Sequence, residues 1–153
     1  MIIYAGDSSD VIKRIRADHC KGNVEASTFR KQVAEAKGYR IKSTRRISGS
    51  MRVRIDLPNP QTGKMDVSDY INSGEWRYVI CNSYAESNDF QFYVIDQLKP
   101  LLNKDRKPWN SKNLQTYQSL LAKLTSSPAL NCDQLHEMQS GSGVYVFSHQ
   151  RRP

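Results

Sequence analysis

The two ends of this chain constrain its fold more than anything between them. Gly143-Val144-Tyr145-Val146-Phe147 near the C-terminus and Ile2-Ile3-Tyr4-Ala5-Gly6 at the N-terminus are short, apolar and rich in β-branched and aromatic residues. That composition marks buried strands. Read across a junction from Pro153 to Met1, the text becomes a strand, a short polar turn, a second strand, and then a helix-forming run from Ser9 onward. Such a unit requires the first and last strands to lie side by side.

Composition limits what the unit can do. At 153 residues the chain has the length of one domain with a real core. A formal charge of +8 and a pI near 9.5 call for a polyanionic partner, because Lys and Arg displace the counterions condensed on phosphates. Nucleic acid comes first. No apolar run is long enough to span a bilayer, so a membrane partner is not expected. Cys20, Cys81 and Cys132 are widely spaced and form no CxxC pair, which reads as free thiols in a reducing compartment. With no basic leader or long apolar core at Met1, the expectation is a cytoplasmic protein.

Along the chain, Ser8, Ser9 and Asp10 supply capping oxygens for a helix to about Asp18, whose apolar residues Val11, Ile12 and Ile15 leave Arg14 beside the buried face. Ser27 caps a second helix that Gly38 stops. Arg52 and Arg54 alternate with Val53 and Ile55, as on a strand. Pro58 to Gly63 reads as a turn, Met65 to Ser73 as ambiguous, and Trp76 to Cys81 as a strand. From Ala85 to Leu102 the apolar residues recur at helical period, with Pro100 tightening the last turn. A tail helix is expected at about Leu114 to Leu124.

Joined through its termini, the chain resembles the GIY-YIG nuclease family, whose core opens with two such tripeptides on adjacent antiparallel strands. Here they stand as Gly143-Val144-Tyr145 and Tyr4-Ala5-Gly6, so the resemblance implies a circularly permuted order. Arg14 falls eight positions after Gly6, where the family carries its catalytic arginine; His19 follows it, and Leu98-Lys99-Pro100-Leu101-Leu102-Asn103 looks like the family's closing segment. The implied fold is α+β: a small antiparallel central sheet flanked by helices, in a single domain over 1–153. A basic insertion at about 40–75 and a helical tail at about 111–138 fall outside the resemblance. The implied roles put Tyr145 and Tyr4 at the attacking water, Arg14 on the phosphate charge and His19 near the proton path. Asn103 and Gly6 would be structural.

The family holds one divalent cation, magnesium or a relative, with a glutamate on the closing helix. Here that position, twelve residues before Asn103, is Gln91. A neutral amide binds a hard cation far more weakly than a carboxylate. Residues sharing its helical face are Ser87, Asn88, Val94 and Ile95, none of them acidic. The resemblance therefore implies a restriction-like endonuclease on duplex DNA, slow or inactive unless position 91 is a glutamate. A noncatalytic DNA-binding module with a degenerate site is the alternative.

The most basic stretch, Arg40, Lys42, Arg45, Arg46, Arg52 and Arg54, is expected to contact DNA, with Arg30 extending the same surface. The C-terminal strand either closes its own sheet or enters a second copy to give a strand-swapped homodimer.

Overall fold

A computed structural model describes residues 1–153. It is an α+β fold built on a three-stranded antiparallel sheet of β1 (Ile2–Ser8), β5 (Gly143–Ser148) and β4 (Glu75–Ile80), with β5 in the middle. The last strand of the chain is thus its central one. β5 pairs with β1 from Gly143 opposite Ser8 to Phe147 opposite Tyr4. The terminal amine of Met1 donates to the His149 carbonyl at 3.0 Å. The sheet is complete within one copy of the chain.

Strand alternation sends side chains to two apolar layers. Tyr145 and Phe147 enter a core with Ile3, Ile15, Phe29 and Trp76, while Val144 and Val146 join Ala5, Phe90, Val94 and Leu124 on the other side. The first layer is covered by α1 (Val11–Lys13), which runs on without a break through π-helical residues Arg14–Cys20, and by α2 (Thr28–Ala36) and α3 (Pro60–Asn72). The second is covered by α4 (Tyr84–Leu98) and α5 (Leu114–Ser126). Full burial of each large apolar side chain stabilises the fold by about 1.5–3 kcal/mol.

Neither sheet edge is left open. Leu101 and Leu102 donate backbone N–H groups to Ile2 and Ile3 at 3.2 and 2.9 Å. Asn103 completes the cover, accepting from Ala5 N at 2.8 Å and donating to Ala5 O at 2.9 Å. On the β4 side, Trp76 and Leu130 exchange backbone hydrogen bonds of 2.7 and 2.8 Å.

Several expectations are corrected. Pro58 to Gly63 is not a free turn: Asn59 caps α3 by accepting from Gln61 N, and Pro60 occupies its first turn, where a missing N–H is harmless. α4 stops at Leu98 rather than running to Leu102, because Pro100 cannot continue it and Lys99 takes the left-handed conformation at φ 48°. Cys20 and Cys132 form a disulfide across 112 residues of sequence, so only Cys81 is a free thiol. Unpaired cysteines therefore no longer argue for a reducing compartment. No helix is long and apolar enough to cross a membrane.

The basic insertion begins as a hairpin of β2 (Ile41–Arg45) and β3 (Met51–Ile55), separate from the main sheet. Ile55 and Val53 anchor it against the core, and Gly49, at φ 89°, closes the tip. Ile47 stands wholly in solvent there.

Candidate active site

The centre of the site is a close approach that only glycine permits. Gly6 and Tyr145 are directly opposite in the β1–β5 register. A Cβ on Gly6 would lie 2.5 Å from the Tyr145 hydroxyl, so the bare backbone lets the phenol lie across β1. Gly143 serves the same end on the other side of β5, where a Cβ would meet Val79 O at 2.2 Å. The glycines of both tripeptides thus set how tightly three strands stack around one tyrosine.

The helix after β1 presents two groups to that hydroxyl. An α-helix places i and i+4 on one face, but π winding, with its i to i+5 hydrogen bonds, aligns Arg14 with His19. His19 Nε2 lies 2.7 Å from Tyr145 Oη and its Nδ1 lies 2.7 Å from Ser27 Oγ. Ser27 caps α2 by accepting from Arg30 N at 3.0 Å, so its proton is available to His19 Nδ1, which leaves Nε2–H to donate to Tyr145. Burial, reinforced by the Arg14 and Arg30 charges, holds His19 well below its usual pKa and keeps it neutral.

The Arg14 guanidinium also acts on Tyr145: burial pulls its pKa down, but Asp18 and Tyr145 more than offset that, and the guanidinium stays charged. Its Nη1 donates to Asp18 Oδ2 at 2.8 Å and to Ala26 O at 3.0 Å. The side chain remains 29% exposed, with further N–H donors free to meet an anion. Tyr145 itself is 1% exposed, and its phenol is pushed far up by burial first, with Arg14 opposing. It is less open than a group addressing bulk water would be. Tyr4, whose ring centroid is 6.4 Å from that of Tyr145, is only half-buried; burial raises its phenol too, with Arg14 again opposing.

On the opposite face of β1, Gln91 is half-buried on α4 beside Asp7. Asn88 Nδ2 donates to Asp7 Oδ2 at 3.3 Å. No group of three His, Cys, Asp or Glu side chains converges there or elsewhere. Asp7 was outside the expected set because its signal is tertiary: it belongs to β1, not to the helix on which Gln91 stands.

Two tripeptides on paired strands, an arginine and a histidine meeting the first tyrosine, and a closing asparagine now stand in one place. A sequence model of the GIY-YIG catalytic domain matches residues 1–124, four-fifths of the chain. The chain belongs to the GIY-YIG nuclease family. The matched span ends before β5, the strand that carries Gly143-Val144-Tyr145. No curated protein and no solved structure matches the chain.

Among the basic residues expected on the nucleic-acid surface, Arg40, Lys42, Arg45 and Arg52 are exposed. Arg46 and Arg54 are not free: both pair with Glu25, at 2.9 and 3.4 Å. Arg30 is a correction. It is fully buried, donating to His19 O at 2.7 Å, Cys20 O at 3.3 Å, Lys64 O at 3.1 Å and Ser68 Oγ at 2.7 Å. Its charge satisfies carbonyls at the end of the π-helical turn, and desolvation lowers its pKa to about 10. It cannot reach a phosphate from there.

Proposed function

We propose that this GIY-YIG protein is a DNA endonuclease, circularly permuted relative to its family, that cuts duplex DNA in a restriction-like manner and works slowly because Gln91 stands where the family has its metal-binding glutamate. The observation that carries the reading is the convergence of Arg14 and His19 on the Tyr145 hydroxyl beneath Gly6. A structural tyrosine does not require a neutral buried histidine, a charged arginine and a glycine stripped for its approach.

In this reading Arg14 is the group that meets the scissile phosphate. Its position is fixed by Asp18 and Ala26, so little reorganisation is needed when negative charge grows on the phosphoryl oxygens. Tyr4, the more open phenol, orients the attacking water. Tyr145 lies beside Arg14, and its hydroxyl oxygen is held by the line of donors that runs from Ser27 through His19. The permuted order is supported by β5 lying between β1 and β4 with Met1 against His149.

On α4 alone the donors do not fit a hard cation. Gln91 carries no charge, and no trio of ligating side chains is present. The duplex partner is supported by the net charge of +8 and by the exposed hairpin bearing Lys42, Arg45 and Arg52. Plasmid nicking with magnesium tests the reading. The protein as it stands is expected to nick slowly, and Gln91→Glu to nick faster by at least about tenfold. Silence from both, with DNA binding retained, would leave a noncatalytic binding module.

A further inference from the structure

We propose that the β2–β3 hairpin is a wedge for duplex DNA: its tip enters the minor groove and Ile47 inserts between two base pairs, unstacking them and kinking the duplex. The inference rests on the DNA reading for its partner; the wedge itself follows from how the tip is built.

The tip holds its apolar residue where only water meets it. Ile47 is wholly in solvent, whereas no other large apolar side chain is more than 59% exposed. Its backbone is nonetheless fixed. Arg46 N donates to Ser50 O at 2.7 Å and Gly49 N to Arg46 O at 2.9 Å. The Arg46 side chain folds back, donating to Met51 O at 2.7 Å and to both Glu25 carboxylate oxygens at 2.9 Å. A β-branched side chain on a clamped turn loses little freedom when it is inserted. Ser48, Gly49 and Ser50 keep the tip slim, and a Cβ on Gly49 would meet nothing within 4 Å.

Reach and chemistry agree with insertion. Val53 is the last β3 residue toward the tip that packs on the core. From there to Ser50 the strand rises about 10 Å, more than the depth of the minor groove at about 7.5 Å. The tip lacks the amides, carboxylates and free guanidinium groups that read base edges, since Arg46 is occupied by Glu25. Isoleucine is among the residues that part base steps from the minor groove, where the base faces supply the apolar contact that water denies it. Arg45 and Arg52, exposed on the two strands just behind the tip, would meet the phosphates that a kink draws in.

The hairpin is also braced against the candidate site. Glu25 holds Arg46, while its neighbour Ala26 accepts from Arg14 Nη1 at 3.0 Å. One turn thus carries the wedge on one residue and the site guanidinium on the next, so a duplex kinked at Ile47 is presented beside Arg14.

The test uses relaxation of a closed plasmid by a magnesium-independent type I topoisomerase, in EDTA with saturating protein. It needs no knowledge of a recognition sequence. Base-step insertion unwinds DNA, so the parent is expected to lower the linking number of the relaxed product. Ile47→Ser should lose that shift and Ile47→Phe should keep it. The salt slope of binding by fluorescence anisotropy should be the same in all three proteins, because no cation is removed. An unchanged circular dichroism melt shows that Ile47→Ser is folded. A parent that binds DNA without changing the linking number overturns the wedge, as does an Ile47→Ser protein that unwinds as the parent does. Binding and nicking without unwinding leave the nuclease reading standing; absence of DNA binding by every variant sinks both.

Discussion

The two faces of β1 are built on opposite principles. Toward α1 and α2, Tyr145, His19, Ser27 and Arg30 form a dry, connected polar chain whose members are 0–1% exposed. Toward α4, Asp7, Asn88 and Gln91 are half-buried or exposed, with long or sparse contacts. Buried polar groups tolerate little slack, since an unmet donor or acceptor in a dry interior costs about 1–3 kcal/mol, and of these four side chains only Arg30 leaves an atom, its Nε, without a partner. The α4 face keeps that slack, since its polar side chains stay partly in water. The comparison separates a sealed face from an open one, and it assigns the scaffold's stability to the first.

Arg14 sits between the two and gives the largest expected effect. In a Gln91→Glu background, Arg14→Ala should slow nicking by about 10²–10³-fold, the scale of losing one preorganised donor to developing charge. Chemical denaturation should barely change, because the side chain is partly in water and its pair with Asp18 is a surface pair. Comparable losses of rate and stability would show that Arg14 belongs to the sealed face after all.

Gly6→Ala comes next. Its added Cβ would sit 2.5 Å from the Tyr145 hydroxyl, and relief requires β1 to move from β5 or the phenol to leave His19. The expected cost is about 1–3 kcal/mol in denaturant unfolding, as for other overpacked interiors. Ser48→Ala, an equally small change on the exposed hairpin, should change nothing measurable. Equal effects at both sites would remove the distinction between rigid and open regions.

Much of this arrangement is written locally and some of it is not. The apolar tripeptides at the two termini, the Ser27 cap and the alternation through Arg52-Val53-Arg54-Ile55 each declare themselves within a few residues, and the fold class follows from them. α3 was hidden because Pro58, Asn59, Pro60 and Gly63 are turn residues in isolation; Asn59 as cap and Pro60 just inside the helix reverse their meaning. The Cys20–Cys132 bond joins residues 112 positions apart and has no local trace. Arg30 misleads because which face a charged side chain meets depends on the layer packed against it. The π-helical turn did leave a signal, in the five-residue step from Arg14 to His19 that α-helical spacing cannot bring to one tyrosine.

The dry face should also show in pH dependence. His19 is held below its ordinary value of 6.5 in the folded chain and regains that value on unfolding. The unfolded state therefore takes up a proton first as pH falls, so the stability from neutral His19 is complete above about 6.5 and is lost as pH drops below it. The slope is expected to approach roughly 1.4 kcal/mol per pH unit below that point. His19→Gln should flatten unfolding free energies measured between pH 7 and pH 5, relative to the parent. A parent curve already flat across that interval would mean that His19 is not sealed from water.

The smallest effects concern the hairpin, where the same division recurs on the surface. Lys42, Arg45 and Arg52 are exposed, whereas Arg46 and Arg54 share Glu25, which also accepts from Val53 N at 3.1 Å. Hydrogen bonds from Arg46, Val53 and Arg54 hold the Glu25 carboxyl below its usual range, so it remains a full negative charge at neutral pH. Each free cation that meets a phosphate steepens the fall of log K with log salt by about 0.9 on duplex DNA. Replacing Lys42, Arg45 or Arg52 with alanine, one at a time, should shallow that slope by about this amount in fluorescence-anisotropy titrations with Gln91 unchanged. Arg46→Ala and Arg54→Ala should shallow it less, and Glu25→Gln should steepen it by releasing both guanidinium groups. If Arg46→Ala matched Arg45→Ala, the Glu25 pairing would have to open on DNA, and the hairpin would be a rearranging arm instead of a preset one.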